Sequence, residues 1–348
     1  MLLHFDVIII GSGPAGCAAA ISCRLHGLNA LMIIGKNKNA DVENNNDEPS
    51  ESIHPGVLTI LTQLNAAHCI DIASKGLYEG IYINDQFNVL GKDEHGAWQG
   101  HHINRILFDA AFLQTAKEQN VTVLENDAVF DIISTDDRVT GVITTSGEQF
   151  TCQYLVDASG HKHIAGKKLK FKESFYSPPL VVWTGVCKNI PASYFLFKNN
   201  YTRFIPHSNG WTWLAPEPPD LCTWTRLEVK GKQQFLSPSV LPEYSVAAKI
   251  KTSNRRWRVF RPVCKEGVLL CGDAAGIIDP AAGQGILNAV VSATMAAKTI
   301  KACMSNPDLE AMYLAGYDDW FINDYRDKVN RLKHFYNLHG IKIFDTEK

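Results

Sequence analysis

Glycines near the start of the chain have the spacing of a phosphate-binding turn. Gly11, Gly13 and Gly16 stand in the sequence GSGPAG, directly after the apolar residues 4–10. Gly11 permits a tight turn, Gly13 lets the backbone approach a pyrophosphate, and Gly16 lets a helix pack closely on a strand. The N–H groups at the start of that helix attract phosphate oxygens. We therefore predict that residues 11–16 bind the pyrophosphate of a dinucleotide.

The acidic residue that usually binds the ribose of such a dinucleotide is missing from its expected place. It should follow the second strand of the unit, where the chain has Gly35 and Lys36. Asp41 and Glu43 come a few residues later, in the Asn-rich, acidic residues 37–52, which we expect to form a surface loop. Two arrangements stay open: the loop folds back to supply a carboxylate, or backbone groups and water hold the ribose.

The elements that must position this turn follow from the pattern of apolar side chains. Residues 4–10 and 28–34 are apolar runs typical of buried strands, and the Ala-rich residues 17–25 between them are typical of a helix. This order is the βαβ unit of dinucleotide-binding proteins. Further apolar runs end in Gly-rich turns at residues 157–160 (DASG) and 272–280 (GDAAGIIDP), so Gly-rich strand ends recur along the chain.

The middle of the chain has a different character. From about residue 170 to residue 259, aromatic and polar residues alternate and Pro and Gly interrupt them, as in an antiparallel sheet. The last residues are amphipathic and helical. We predict a discontinuous cofactor-binding domain of residues 1–169 and 260–305, to which part of the substrate layer at 75–100 could be attached. Residues 170–259 would form a substrate-binding sheet domain, and residues 306–348 a C-terminal helical segment.

Composition excludes several classes of function. The 348 residues are 45% hydrophobic and 20% charged, with a formal net charge of −2, which gives no reason to expect nucleic-acid binding. Nine cysteines are spread singly, so we expect reduced core thiols and neither disulfides nor a metal site. No apolar run approaches the roughly 20 residues of a membrane span, and the first apolar run lacks the features of a signal peptide. We therefore expect a cytoplasmic protein.

With these motifs in order, the chain resembles the FAD-dependent oxidoreductases of the glutathione-reductase-like fold, in the branch of aromatic hydroxylases and tryptophan halogenases. The most specific motif is VLLCGDAAGIIDP at residues 268–280, and the resemblance covers nearly the whole length. It implies an α/β, Rossmann-type FAD-binding fold with an inserted antiparallel-sheet substrate domain and C-terminal helices. By matching motifs it also implies an FAD site that contains Gly11, Gly13, Pro14, Ala15, Gly16, Arg105, Asp157, Gly160, Gly272, Asp273, Pro280, Gly283, Gln284 and Gly285.

The resemblance assigns parts of FAD to particular residues. Asp273 would bond the ribityl chain, and residues 283–285, at the start of a helix, would face the pyrimidine end of the flavin. A helix N-terminus suits that end because reduced flavin carries negative charge there. Arg105, in the sequence NRILFD, would lie over the FAD phosphates, and residues 157–160 would contact the adenosine half.

The candidates for chemistry at the flavin ring are His54 and Lys75. The sequence ESIHP at residues 51–55 resembles the family turn near the isoalloxazine, with Ser50 in place of the usual preceding glycine. His54 in this turn could act as a general base or position substrate near neutral pH, or it could only cap the turn before Pro55. Lys75 is the candidate for the lysine of the halogenases, although the spacing around it fits poorly.

The tryptophan-rich stretch bears on the substrate. GWTWLAP at residues 210–216 and TWTR at residues 223–226 are similar to the WxWxIP box of the halogenases, with Ala215 replacing isoleucine, and resemble the LodB/GoxB-type flavoproteins more closely. That resemblance implies an FAD-dependent monooxygenase that uses O2 on a tryptophan of a partner, the precursor of a quinone-dependent amine or amino-acid oxidase. The aromatic-rich sheet, with no clustered pair of arginines near its tryptophans, favours such a protein substrate over a small anionic molecule.

Other functions stay open. The chain could be a hydroxylase or halogenase of a free aromatic molecule, a prenyl-chain reductase, or a flavin-binding maturation scaffold without turnover. No second GxGxxG unit is present, so we expect NAD(P)H to visit only transiently as a reductant.

Overall fold

The computed structural model describes residues 3–35, 48–94, 96–191, 193, 202–231 and 246–344. The first βαβ unit forms where the glycine pattern predicts it, with strand Leu3–Ile10, helix Pro14–Leu25 and strand Ala30–Ile34. The helix buries every residue from Pro14 to Cys23, because small side chains let it lie close to the sheet. The cofactor-binding turn is therefore anchored in the core on both sides.

The core sheet has eight described strands and is mostly parallel around the βαβ unit. Its spatial order is Thr122–Glu125, Ala30–Ile34, Leu3–Ile10, Gln149–Asp157, Arg138–Thr144 and Val129–Thr135, with Val268–Leu270 beside Gln149–Asp157 and Cys264–Lys265 beyond it. Ile10 is paired with Asp157, and Asp157 with Leu270. Consequently the Gly-rich turns that follow these residues meet at one edge of the sheet.

A second sheet of seven described strands is antiparallel apart from one pair. Its order is Val246–Arg255, Leu180–Lys188, Leu221–Val229, Gly210–Glu217, Thr202–His207, Gly80–Ile83 and Gln86–Val89. Smaller sheets contain Ser50–Ile53, Gly100–Asn104 and Ser74–Tyr78; Glu173–Phe175, Arg258–Phe260 and Gly276–Ile277; and Lys92–Asp93 with Gly96–Ala97. Strands of residues 80–89 thus pair into the sheet that is otherwise made by residues 180–255.

Helices cover the sheets and close the chain. The described α-helices are Pro14–Leu25, Gly56–Gln63, His68–Ala73, Arg105–Glu118, Ile164–Lys168, Gly272–Ala275, Gly285–Ser305 and Glu310–Leu338, and short 3-10 turns are Gly160–Lys162, Pro280–Ala282 and Pro307–Leu309. Helix Gly285–Ser305 packs against both Pro14–Leu25 and Glu310–Leu338. None of the described helices combines the length and the apolar character needed to cross a membrane.

The predicted elements agree with the structure in the core and differ in the polar parts. Apolar residues recur at helical spacing over residues 56–67, but the helix ends at Gln63, because Asn65 has a left-handed backbone with φ of 54°. Strand Ser50–Ile53 was not predicted, since its polar sequence SESI is extended only through pairing with Gly100–Asn104. Asp41 and Glu43 lie outside the described residues, and the proposed domain boundaries stay a prediction.

Candidate functional site

A cavity of about 700 Å³ lies where the Gly-rich edge of the core sheet meets the second sheet and the two long helices. Its walls include seven residues predicted to bind FAD: Arg105, Gly272, Asp273, Pro280, Gly283, Gln284 and Gly285. Glu51, Ser52, Trp211, Trp213 and Asp279 also line it. The structure therefore brings together residues that are more than two hundred positions apart in the sequence, such as Glu51 and Gly285.

The glycine turn has the geometry that a dinucleotide requires. Gly11 has φ of +99°, and a Cβ on Gly16 would lie 1.9 Å from the carbonyl oxygen of Gly11, so the turn and its helix tolerate no side chain there. A Cβ on Gly13 would meet nothing within 4 Å. Open space above this one backbone position is what the approach of a pyrophosphate needs. Residues 11–16 are not among the described residues that line the cavity, but the turn lies beside the cavity residue Gly272, since a Cβ on Gly272 would be 2.9 Å from the Cβ of Ala15.

Two helix N-termini at this edge lack side-chain caps. Gly13 precedes helix Pro14–Leu25, Gln284 precedes helix Gly285–Ser305, and neither residue makes a capping side-chain hydrogen bond. Uncapped N–H groups and the helix dipole favour negatively charged groups. The first terminus suits a diphosphate and the second the pyrimidine end of a flavin. Together with the open cradle at Gly13, these features fit FAD.

Arg105 is held between carboxylates at the cavity wall. Its Nη1 lies 2.7 Å from Oε2 of Glu51, and its Nε lies 2.8 Å from Oδ1 of Asp109. Burial alone would lower the pKa of Arg105, but the two carboxylates together raise it above its ordinary value. Burial raises the pKa of Asp109, and Arg105 opposes that effect. Arg105 therefore stays charged, and its predicted contact with the FAD phosphates stays a prediction.

Asp273 presents a carboxylate that the described residues leave without a hydrogen bond. It is exposed and lines the cavity, and Arg258 donates to its backbone carbonyl oxygen at 2.8 Å. Enclosure raises the pKa of Asp273, while Arg255 and Arg105 lower it. A carboxylate acceptor in this position suits the hydroxyl groups of a ribityl chain.

Asp157 holds the turn that follows its own strand. Its buried carboxylate accepts hydrogen bonds from the backbone N–H groups of Ser159 at 3.0 Å and Ala165 at 2.7 Å. These bonds hold the turn that contains Gly160, where φ is +62° and a Cβ would meet nothing within 4 Å. Asp157 thus shapes the turn through its carboxylate, and contact of residues 157–160 with adenosine stays a prediction.

The missing ribose carboxylate has a candidate that we did not identify from the sequence. Glu125 is paired with Ile34 across neighbouring parallel strands, so it lies beside the strand end that precedes Gly35. Its Oε1 is 2.5 Å from Nζ of Lys117. Only the pairing of Thr122–Glu125 with Ala30–Ile34 brings this carboxylate to the correct edge.

His54 caps its own turn. The backbone N–H of Gly56 donates to Nδ1 of His54 at 3.0 Å, and burial lowers the pKa of His54. His54 is not among the described residues that line the cavity. Its catalytic role stays a prediction, and the structure supports the capping interpretation.

We expect His54→Ala to reduce stability by about 1 kcal/mol, because one turn-capping hydrogen bond is lost. FAD binding and turnover should stay within about twofold of the unsubstituted protein, a factor equivalent to less than 1 kcal/mol. Urea unfolding and turnover assays at pH 7 measure both effects. A loss of turnover with bound FAD retained would restore His54 as a catalytic residue.

Lys75 is engaged within the protein. Its Nζ lies 3.0 Å from Oε2 of Glu217 and 2.9 Å from the carbonyl oxygen of Glu48. Thr223 donates to the other oxygen of Glu217 at 2.5 Å. Lys75 does not line the cavity, although its neighbour Thr223 does. A lysine that must present a free amine to substrate is not arranged in this way.

Asp279 is a titratable group that sequence reasoning missed. It is 3% exposed, and its carboxylate accepts hydrogen bonds from Nε1 of Trp257 at 3.2 Å and from the N–H of Ala281 at 2.8 Å. Burial raises its pKa from 3.8 to about 6. The motif GDAAGIIDP contained this aspartate, but nothing local indicated that it would be buried beside Trp257.

The Asp279 shift predicts how stability depends on pH. In the folded protein the carboxyl group of Asp279 keeps its proton up to about pH 6, whereas in the unfolded chain it loses the proton near pH 4. The free energy of unfolding therefore falls as pH rises between those values. The full effect is on the order of 3 kcal/mol. Asp279→Asn keeps an acceptor for Trp257 and should remove this decrease of stability with rising pH. The free energy of unfolding in urea, measured from pH 4.5 to 8 with saturating FAD, tests this expectation. Parallel pH curves for the two proteins would contradict the assignment.

Comparison with known proteins agrees with this site. A family model described as "FAD binding domain" matches residues 4–306. The chain is 26% identical to a 1H-pyrrole-2-carbonyl-(peptidyl-carrier protein) brominase of Pseudoalteromonas luteoviolacea, over 95% of this chain and 86% of that protein. It is 23% identical to a digeranylgeranylglycerophospholipid reductase of Methanosphaerula palustris, over 99% of this chain and 93% of that protein.

Solved structures share the fold. The flavin-dependent brominase Bmp2 is 20% identical with a TM-score of 0.78, over 96% of this chain and 87% of that chain. The peptidyl tryptophan dihydroxylase QhpG is 17% identical with a TM-score of 0.73, over 98% of this chain and 77% of that chain. The predicted α/β, Rossmann-type FAD-binding fold is confirmed. Since the family model spans most of the residues, the chain belongs to the FAD-binding domain family and is an FAD-dependent oxidoreductase.

Proposed function

We propose that the protein is an FAD-dependent monooxygenase that oxygenates an electron-rich aromatic ring. The observation that carries this proposal is a chamber of about 400 Å³, lined by apolar and some charged side chains, that adjoins the FAD cavity. Trp213, Ile278 and Gln284 line both spaces, and Gln284 directly precedes the helix expected to face the flavin. A ring bound in this chamber would therefore be next to the flavin.

The chamber has the character of an aromatic-binding site. Ile81, Ile83 and Phe204 of the second sheet and Leu332 and Phe335 of the C-terminal helix line it, and the rings of Phe204 and Phe335 are in edge contact with centroids 5.2 Å apart. Such a lining removes a flat apolar ring from water and holds it by packing. Bound FAD would supply the redox chemistry and the reaction with O2, whereas these side chains orient the substrate and exclude water. NAD(P)H as a transient reductant is part of the proposal.

The proposed substrate is a tryptophan side chain of a partner protein, the precursor of a quinone-dependent oxidase. Its support is the motif pattern at residues 210–226 and the shared fold with a peptidyl tryptophan dihydroxylase. The aromatic-rich sheet supports this substrate only through Trp213, which lines both the cavity and the chamber. Trp211 and Trp224 are 1% and 0% exposed and belong to the core.

A free aromatic molecule with an anionic group is the second candidate substrate. We identified from the sequence no clustered pair of arginines near the tryptophans of the sheet, but Lys328 and Arg331 of the C-terminal helix line the chamber and the FAD cavity. Lys328 is bonded to Asn288 at 2.7 Å and to Asp324, whereas Arg331 has no ion pair or hydrogen bond with any described residue. Arg331 could therefore bind a carboxylate or phosphate of a small substrate.

Two measurements test the proposal. Purified protein should be yellow, and its reduced flavin should reoxidise in air faster when substrate is bound. Co-expression with a candidate precursor should add oxygen to the precursor, detected by intact mass, and Leu332→Trp, which fills the chamber, should abolish this addition without loss of FAD.

Other outcomes separate the alternatives. Colourless protein that takes up no FAD would overturn the monooxygenase. Turnover of free indoles or phenols with an unmodified partner would favour the small-molecule substrate, and halide incorporation or saturation of a prenyl chain would favour a halogenase or a reductase. A flavin-loaded protein that promotes partner maturation without turnover would be a maturation scaffold.

A further inference from the structure

Ser52 and His102 form a polar pair at the wall of the FAD cavity. They are opposite residues of neighbouring antiparallel strands, and Oγ of Ser52 lies 2.9 Å from Nδ1 of His102. Nε1 of Trp213 donates to the same Oγ at 3.3 Å. Ser52 lines the cavity, and its carbonyl oxygen lies 3.9 Å from the Cβ position of Gly283, in the segment expected to face the flavin.

The surroundings of His102 assign its tautomer. The ring is 2% exposed and stacks on Tyr78 with the centroids 4.7 Å apart. Its Nε2 has no hydrogen-bond partner among the described residues. A proton on Nε2 would be a buried N–H without an acceptor, which proteins rarely leave in place. From this hydrogen-bond network the proton belongs on Nδ1, where it is donated to Ser52.

The hydroxyl group of Ser52 is thereby restricted to one role. Its oxygen accepts from both His102 and Trp213, so both lone pairs are used. Only its own hydrogen is left to form a bond. An acceptor for that hydrogen must come from the cavity side.

We infer that Ser52 donates a hydrogen bond to an acceptor atom of the FAD isoalloxazine ring, with His102 and Trp213 as positioning residues. This inference rests on the placement of FAD in the cavity. An indole side chain offers only an N–H donor, whereas the flavin ring carries carbonyl oxygens and bare ring nitrogens. Burial lowers the pKa of His102 to about 4; His101 adds to this effect and Glu217 opposes it. The ring is therefore neutral near pH 7 and carries only the proton on Nδ1 that it donates to Ser52.

Ser52→Ala in the FAD-loaded protein tests the bond without any assay of turnover. We expect the visible absorption bands of bound FAD to shift and its dissociation constant to rise about two- to tenfold, the effect of one hydrogen bond. Ser52→Thr, which keeps the hydroxyl, should preserve both values. His102→Asn, whose amide can donate near the position of Nδ1, should stay close to the unsubstituted protein, whereas His102→Leu should reproduce the Ser52→Ala spectrum.

A neighbouring pair supplies the matched control. Oγ of Ser74 lies 3.4 Å from Nδ1 of His101 in the same small sheet, and neither residue is among the described residues that line the cavity or the chamber. Ser74→Ala should leave the flavin spectrum and affinity unchanged. The inference is overturned if Ser52→Ala has the spectrum and affinity of the unsubstituted protein, or if the two variants shift equally. An unsubstituted protein that binds no FAD would instead overturn the proposed function.

Discussion

Replacing Gly13 with valine is expected to give a folded protein that contains no FAD. The space around a Cβ at this position is empty in the protein, so the fold should tolerate the side chain. The same space is where the pyrophosphate must approach the backbone, and valine would fill it. We expect the purified variant to lack the flavin absorption and to bind FAD at least a hundredfold more weakly, equivalent to about 3 kcal/mol. Its far-ultraviolet circular dichroism spectrum should be like that of the unsubstituted protein.

Other glycines separate this effect from general damage. Gly316→Val also enters open space, but Gly316 lies within helix Glu310–Leu338 and not in a glycine turn at a helix N-terminus, so flavin should be retained. Gly16→Val should impair folding itself, because its Cβ would overlap the carbonyl oxygen of Gly11 at 1.9 Å. Stoichiometric flavin in Gly13→Val would show that the turn does not bind the diphosphate.

Replacing Glu217 with alanine is expected to lower the free energy of unfolding by about 3 kcal/mol. The carboxylate is 6% exposed, and it holds both Nζ of Lys75 and the hydroxyl of Thr223. Its removal takes this carboxylate away from a largely buried ammonium group, a change that costs more than the loss of a surface ion pair. Urea unfolding of the FAD-loaded variant at pH 7 measures the loss.

Removing both charges at once supplies the comparison. Lys75→Met combined with Glu217→Leu replaces the pair with apolar side chains of similar size, and it should recover most of the stability because no buried charge is stranded. Normal turnover by this double variant would exclude Lys75 as a catalytic residue. A single variant Glu217→Ala as stable as the unsubstituted protein would mean that the ion pair contributes nothing to the fold.

The sequence alone predicted the features that depend on local backbone geometry. The spacing of Gly11, Gly13 and Gly16 was enough to assign their roles, because a tight turn, a close backbone approach and a close helix contact each require the absence of a side chain. The core strands could be predicted similarly, since buried parallel strands are continuous apolar runs. The family resemblance added Asp273 and residues 283–285, which the fold brings to one cavity wall.

Only the tertiary structure decided which side chains meet at the cavity. His54 was the expected histidine, but its ring bonds to the nearby N–H of Gly56, whereas His102 reaches the cavity wall through Ser52. Strand pairing between residues about fifty positions apart produces that contact, and no local pattern encodes it.

The same limit applies to burial and charge. Trp211 and Trp224 are as compatible with a surface as with a core in the sequence, and only sheet packing buries them. Asp279 acquires its raised pKa from desolvation beside Trp257, and Arg331 reaches the chamber because the C-terminal helix lies across the second sheet. Desolvation and long-range pairing are properties of the assembled fold, so these features could be found only there.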